Sequence, residues 1–140
     1  MSAEQNKALI RKGYEALFSG NLDVADDLIA ADYVLHHGTG MEILGPEGLK
    51  NLMQSNLTAF PDAEWSIDDL IAEGDRVVTR FSMSGTHQAA LRDIPPTGGP
   101  VSAWFIAIDR IAGGKIVESW QRYDTLGFMQ QLGAIPSPDK

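Results

Sequence analysis

The hydrophobic periodicity of this chain changes once, after Pro61-Asp62, and that change limits the folds open to it. Before this point apolar residues recur at intervals of three and four, which is the spacing of amphipathic helices. After it, apolar and polar residues alternate in long runs joined by the tight turns Glu73-Gly74-Asp75 and Gly113-Gly114. Helices followed by hairpins predict an α+β fold, with N-terminal helices packed against a mostly antiparallel sheet.

Capping and turn residues place the individual elements. A capping box of Ser2 and Gln5 predicts a first helix that ends at Gly20, and Asn21 begins a short second helix. Gly45-Pro46-Glu47 has the proline and the acid that are typical of a helix start. The predicted strands span 33–37, 65–71, 77–85, 101–111 and 116–123. A sheet that curls around the helices would make a cone-shaped barrel with a ligand cavity at its open end.

Composition limits the partners that this chain is expected to have. Its 140 residues, 44% apolar and 21% charged, predict one domain over 1–140 with a loose tail at about 136–140. A net charge of −8 argues against nucleic acid or an anionic membrane surface as a partner. Cysteine is absent, which excludes disulfides and thiolate chemistry. With no signal peptide and no apolar run of about 20 residues, we expect a cytoplasmic protein.

Alternation along the strands sorts side chains into two faces. On the last strand Val117, Ser119, Gln121 and Tyr123 share one face, and Glu118, Trp120 and Arg122 share the other. On the strand before it Val101, Ala103, Phe105, Ala107 and Asp109 oppose Ser102, Trp104, Ile106, Ile108 and Arg110. On the first long strand Trp65, Ile67 and Ile71 are expected to share a face. The apolar outer set predicts a homodimer through the sheet, with Trp104 and Trp120 near the contact.

Three histidines are the candidate bases, because a neutral imidazole accepts a proton efficiently near pH 7. His36 and His37 are adjacent, so on a strand they point to opposite faces and cannot both enter one pocket. His87 follows the long strand. For each of them the commoner alternative is a buried, hydrogen-bonded framework residue. We expect no metal site, since the chain has no His-x-x-x-His pair and no cysteine.

Other polar residues carry competing interpretations. Asp124 precedes Thr-Leu-Gly-Phe and is favoured as a helix N-cap over a ligand contact. Asp68 and Asp69 are neighbours on a strand, so they are expected to face apart and not to form a catalytic pair. Tyr14 and Tyr123 could donate a hydrogen bond to a ligand oxygen, with core packing the safer expectation for Tyr14.

Several segments, taken in order, carry a resemblance that covers nearly the whole chain. They are Tyr33-Val34-Leu35-His36, Gly45-Pro46-Glu47-Gly48, Phe60-Pro61-Asp62, Gly85-Thr86-His87, Ile94-Pro95-Pro96-Thr97-Gly98, Gly114-Lys115-Ile116-Val117-Glu118-x-Trp120 and Gln130-Gln131-Leu132-Gly133. Together they resemble the SnoaL-like polyketide (ester) cyclases of the nuclear-transport-factor-two-like superfamily. The resemblance implies a cone-shaped barrel, a dimer, no cofactor, and closure of a polyketide ester ring by intramolecular aldol condensation.

The same resemblance implies roles for individual positions. His87 and His36 match family histidines. Gln121 stands where the family has its acid/base aspartate, and Ala107 stands where the cyclases have a second pocket histidine. An amide can hydrogen-bond an enolate, but it cannot accept a proton at neutral pH.

Three functions remain open on this basis. The first is a cofactor-independent enzyme that acts on a hydrophobic carbonyl compound by proton abstraction and enolate stabilisation. In it His87 or His36 is the base, Gln121 and Tyr123 orient oxygen atoms, and the remaining substrate contacts are Tyr14, Trp65, Phe81, Phe105 and Asp124. The second is a non-catalytic protein that binds the same kind of ligand. The third, hydrolysis by an activated water, needs converging carboxylates, and the sequence offers no inward pair.

Overall fold

The computed structural model describes residues 2–136 as four α-helices and one six-stranded sheet. In chain order the elements are α1 (Ala3–Phe18), a 3₁₀ turn (Leu22–Val24), α2 (Ala25–Leu28), β1 (Ile29–His36), β2 (Glu42–Leu44), α3 (Gly45–Ala59), β3 (Glu64–Glu73), β4 (Arg76–Thr86), β5 (Pro100–Ala112), β6 (Lys115–Tyr123) and α4 (Thr125–Gln131). Apart from Pro136, the predicted loose tail lies outside the described residues.

The sheet has the strand order β2-β1-β6-β5-β4-β3. β1 and β6 pair in parallel, and every other pairing is antiparallel. One apolar cluster joins α1, α2, α3 and β1 around Ile10 and Leu35, and a second joins β4, β5 and α4 around Phe81 and Phe128. The predicted α+β fold, with helices packed against a curved and mostly antiparallel sheet, is confirmed.

The predicted cap and turns form as the sequence indicates. The Gln5 amide donates to Ser2 Oγ at 3.1 Å and the Ser2 amide donates to Gln5 Oε1 at 2.8 Å, which closes the capping box of α1. Gly74 has φ of +59° and Gly114 has φ of +76°, left-handed conformations that favour glycine in both hairpin turns. These turns set the register of two pairings, β3 with β4 and β5 with β6.

A bulge in β3 changes which of its side chains face the helices. The register against β4 shifts between Ile67 and Asp69. The prediction that Ile71 shares a face with Trp65 is therefore wrong: Ile71 is 63% exposed, and Leu70 packs against the core in its place. The same bulge corrects the expectation that Asp68 and Asp69 face apart, because both carboxylates contact the guanidinium of Arg80, at 3.7 and 2.7 Å.

A second bulge lies between β5 and β6, where the register shifts between Arg110 and Ile111. It places Ile116 on the inner face, where the alternation predicted Val117. Beyond the bulge the predicted alternation holds, and Ser119, Gln121 and Tyr123 face inward.

Within the described part of the chain, no helix is long and apolar enough to cross a bilayer.

Candidate active site

A cavity of about 450 Å³ lies between the inner face of the sheet and helices α1 and α3. This volume falls in the range of small-molecule sites. Its aromatic lining consists of Tyr14, Phe18, Tyr33, Trp65, Phe81, Phe105, Tyr123 and Phe128. Phe81 and Phe105 stack with their ring centroids 4.9 Å apart, and Phe18 stacks on Trp65 at 4.7 Å. The cavity therefore has a largely aromatic lining.

A buried carboxyl group occupies the inner end of this cavity. Asp109 on β5 is 3% exposed, and its Oδ2 accepts a hydrogen bond from the Tyr14 hydroxyl at 2.5 Å. Its Oδ1 accepts a second hydrogen bond from the Ser119 hydroxyl. Burial raises the pKa of Asp109, and the two donated hydrogen bonds oppose that shift. The result is a hydrogen-bonded carboxyl whose pKa lies closer to neutrality than that of an exposed aspartate.

The two phenols beside Asp109 remain protonated donors. Burial, followed by the negative charge of Asp109, raises the pKa of Tyr14. The same two causes, in the same order, raise the pKa of Tyr33. Neither phenol can act as a base at neutral pH, so the proton acceptor of this group is Asp109.

A neutral histidine lines the cavity from the turn that follows β1. His37 is 6% exposed, and its Nδ1 accepts a hydrogen bond from the Thr39 amide at 3.3 Å. Burial and, to a smaller extent, the charges of Arg92 and Arg122 together lower the pKa of His37 to about 4. A neutral ring that accepts at Nδ1 carries its proton on Nε2, so His37 can donate a hydrogen bond.

Two polar groups of the lining lack a hydrogen-bond partner among the described residues. They are Gln121 Oε1, on β6, and Trp65 Nε1, on β3. A buried polar atom without a partner costs about 1–3 kcal/mol, so such groups commonly mark the place of a ligand or an ordered water.

Comparison with known proteins identifies the family. Residues 8–132 match the sequence model of the SnoaL-like polyketide cyclases. This chain belongs to that family. IdmH from Streptomyces antibioticus, a candidate polyketide cyclase, is 34% identical over 92% of this chain and 99% of its own, with a TM-score of 0.78. AclR from Streptomyces galilaeus, a candidate hydroxylase, is 29% identical over 97% of this chain and 85% of its own, with a TM-score of 0.83.

A third SnoaL-like structure, from Jannaschia sp. CCS1, supports the fold alone. It is 20% identical over 96% of this chain and 95% of its own, with a TM-score of 0.86. No curated protein sequence matches the chain significantly. Because structures this similar carry different candidate activities, membership of the SnoaL-like family does not by itself determine the reaction.

The structure brings six of the predicted site residues into one cavity and leaves three outside it. The six are Tyr14, Trp65, Phe81, Phe105, Gln121 and Tyr123. His36 lies on the outer face of the sheet, where its Nε2 is 2.8 Å from Glu118 Oε2 and its ring stacks on Trp120. From that side of the sheet His36 cannot reach a ligand bound in the SnoaL-like cavity.

His87 and Asp124 also lie away from the cavity. The Thr97 amide donates to His87 Nδ1 at 3.2 Å, and the backbone of His87 pairs with Gly98 and Gly99. His87 thus holds the ends of the 88–99 loop together, which is the framework role weighed for it. Asp124 caps α4 by accepting from the Gly127 amide at 2.9 Å.

Sequence reasoning did not select His37 or Asp109 for the site. Strand alternation could have identified His37, because it places His37 on the face opposite to His36. Asp109 stood in the inward-facing set with Phe105 and Ala107, and an acid within an apolar face is a signal of function. Within residues 2–136, no three His, Asp or Glu side chains converge as metal ligands would.

Proposed function

We propose that this SnoaL-like protein is a cofactor-independent enzyme that removes an acidic proton from a hydrophobic carbonyl compound, with Asp109 as the base. The observation that carries the proposal is the buried Asp109 carboxyl, held by Tyr14 and Ser119 at the inner end of an apolar cavity. Burial raises its pKa, and a carboxylate of raised pKa is a stronger base towards a carbon acid.

In the proposed reaction the C–H bond next to the carbonyl breaks and its proton moves to Asp109. The electron pair enters the carbonyl system as an enolate. His37 Nε2–H, the Gln121 amide and the Tyr123 hydroxyl are the available donors to the enolate oxygen. In a cyclisation the enolate carbon attacks a second carbonyl of the same molecule, and protonated Asp109 returns its proton to the new alkoxide.

The proposed base, Asp109, lies on a different strand from the family's acid/base position. The resemblance places the family acid/base at Gln121, on β6, where an amide cannot accept a proton. Asp109 on β5 pairs with Ser119, two residues before Gln121 on β6. At about 3.3 Å per residue the proposed base lies roughly 7 Å further along the sheet, so we expect the substrate to be seated deeper.

A second candidate function is ligand binding without chemistry. Both oxygens of Asp109 already accept hydrogen bonds, and Gln121 cannot replace it as a base. Hydrolysis by a carboxylate pair has less support. Glu42, which also lines the cavity, is 62% exposed at the side chain and lies 3.5 Å from His36 Nδ1 on the outer face.

Deuterium exchange distinguishes the enzyme from the binder. The probe is 2-tetralone, a bicyclic ketone with acidic α-hydrogens, in D₂O at pD 7.5. Proton NMR follows the loss of the α-hydrogen signal. Binding is followed separately in H₂O, by the change in the amide chemical shifts of ¹⁵N-labelled protein as probe is added. We expect exchange that is accelerated by the protein and saturates with probe. Binding in the cavity without accelerated exchange would contradict the proposed enzyme and favour the binder.

We also propose that the protein is a homodimer in which the outer face of the sheet packs on a second copy. This face exposes apolar side chains, with Trp104 54%, Ile106 39% and Ile71 63% exposed. It carries both signs of charge, since Arg80 pairs with Asp68 and Asp69 beside Ile106. A two-fold axis presents such a face to itself, so apolar and opposite-charge surfaces can match.

Replacing Trp104 with glutamate is expected to shift the protein from dimer to monomer. Burying that charge in the interface should cost about 2 kcal/mol or more, which is roughly a 30-fold weaker dimer. Light scattering after gel filtration at low micromolar concentration measures the mass. Leu126→Glu is the matched control, because Leu126 is 58% exposed and belongs to helix α4 instead of the sheet. A dimer that survives Trp104→Glu, or a wild-type monomer, would contradict the proposal.

A further inference from the structure

An unpaired cation stands at the mouth of the cavity. Arg92 lines the cavity, is exposed at its rim, and has no hydrogen-bond or ion-pair partner among the residues described. Arg80 and Arg110 of the same chain are each bound to a carboxylate. No lysine and no other arginine of the described part lines this cavity. Arg92 is therefore the positive group available to a ligand there.

The backbone holds Arg92 in an unfavourable conformation. It has φ of +54°, and across residues 2–136 it is the one non-glycine residue with positive φ. Leu91 and Ile94 close the turn around it with two hydrogen bonds, of 3.0 and 2.9 Å. A side chain other than glycine is strained in this region, and strain of this kind concentrates at functional sites.

Positive and negative groups lie at different ends of the cavity, with Arg92 at the mouth and Asp109 in the interior. Its guanidinium lies close enough to His37 and Tyr123 to lower the pKa of both, although burial raises that of Tyr123 overall. The amide side chains of Asn51 and Asn56, on α3, also line the cavity and can donate hydrogen bonds. The negative group of the interior is Asp109, at the opposite, buried end. Glu42 is the acid on the rim, and it is directed at His36.

We propose that the ligand of this cavity carries an anionic group, a carboxylate or its equivalent, which Arg92 binds at the mouth. The apolar body of the ligand lies between the aromatic rings, and its far end faces Asp109. A buried carboxylate repels a second anion, so the charged end of the ligand points outward. The inference deepens the proposed function by naming the substrate class, an aromatic or polycyclic acid. It rests on that function only in requiring that the same cavity bind a ligand.

Two probes of nearly equal shape distinguish the contribution of charge to binding from the contribution of apolar contacts. 2-Naphthoate is an anion and 2-naphthamide is neutral. Each is titrated into ¹⁵N-labelled protein at pH 7.5, with the amide shifts of Gln121 and Tyr123 reporting the cavity and those of Trp104 the outer face. We expect 2-naphthoate to bind in the cavity at least about fivefold more tightly than 2-naphthamide, which is a difference expected of a partly exposed charge-assisted bond. Added salt should narrow this difference.

Variants assign the effect to Arg92. Arg92→Gln should weaken 2-naphthoate about five- to tenfold and leave 2-naphthamide unchanged, and Arg92→Lys should retain part of the preference. Arg11→Gln is the matched control, because it removes the same charge from an exposed position on α1. Equal affinities for both probes in the wild type would overturn the inference, as would equal losses for both in Arg92→Gln. Neither result would affect proton exchange at Asp109, so the proposed function fails or stands separately.

Discussion

Replacing His37 with glutamine is expected to remove a large part of the acid sensitivity of this protein between pH 6.5 and pH 4. The folded protein holds the pKa of His37 at about 4, against an ordinary value of 6.5. Between pH 6.5 and pH 4 the unfolded chain protonates His37 more readily than the folded protein does. The stability that neutral His37 contributes is therefore complete above pH 6.5 and is lost as the pH falls towards 4. The loss at pH 4 is on the order of 2–3 kcal/mol, since each pKa unit corresponds to about 1.4 kcal/mol.

Urea unfolding at pH 7.5, 6.0, 5.0 and 4.5 measures this contribution in wild type and His37→Gln. Glutamine retains an acceptor for the Thr39 amide, so the two proteins should differ by less than about 1 kcal/mol at pH 7.5. As the pH falls from 7.5 to 4.5, the free energy of unfolding should fall more steeply in the wild type than in His37→Gln. His36→Gln is the control, because His36 is a half-exposed partner of Glu118 on the outer face. Parallel curves for wild type and His37→Gln would show that His37 is not held neutral by the fold.

The sheet was largely predictable, because alternation and glycine turns are local properties. Gly74 and Gly113-Gly114 ended strands where the sequence placed them, and Phe105, Ala107 and Asp109 faced inward as the alternation required. The errors in which side chains face inward came from the two bulges. The adjacent acids Asp68 and Asp69 break the alternation, and they mark the place where one extra residue moves Leu70 inward and Ile71 outward.

The site was less predictable, because its chemistry depends on contacts that are distant in sequence. Tyr14 and Asp109 are 95 positions apart, and only the packing of α1 across the sheet brings the hydroxyl to the carboxyl. Alternation indicated that His36 and His37 take opposite faces, but it did not indicate which face is covered. The family resemblance directed attention to His36 and His87, whereas the cavity is lined by His37.

Asp109→Asn is expected to abolish most of the proposed catalysis while leaving ligand binding in place. General-base catalysis by a positioned carboxylate typically contributes about 10²–10⁴-fold to a rate. Asparagine has nearly the same shape and can still accept a hydrogen bond from Tyr14 or Ser119, so the apolar lining should be preserved. The dissociation constant of 2-tetralone should therefore change by less than about threefold, because the probe is held by apolar contacts.

Asp124→Asn is the matched control for this variant. It makes the same substitution and the same charge change at a residue outside the cavity. Asparagine caps a helix about as well as aspartate, so α4 and the fold should be unaffected. The control protein should exchange the probe at the wild-type rate, within about twofold.

Deuterium exchange into 2-tetralone tests most directly whether Asp109 takes the proton. The measurement compares wild type, Asp109→Asn and Asp124→Asn by proton NMR at pD 7.5, with probe binding confirmed in each. We predict saturable exchange in wild type and in Asp124→Asn, and a rate at least about 100-fold lower in Asp109→Asn. Exchange by Asp109→Asn at the wild-type rate, with the probe bound in the cavity, would contradict the account.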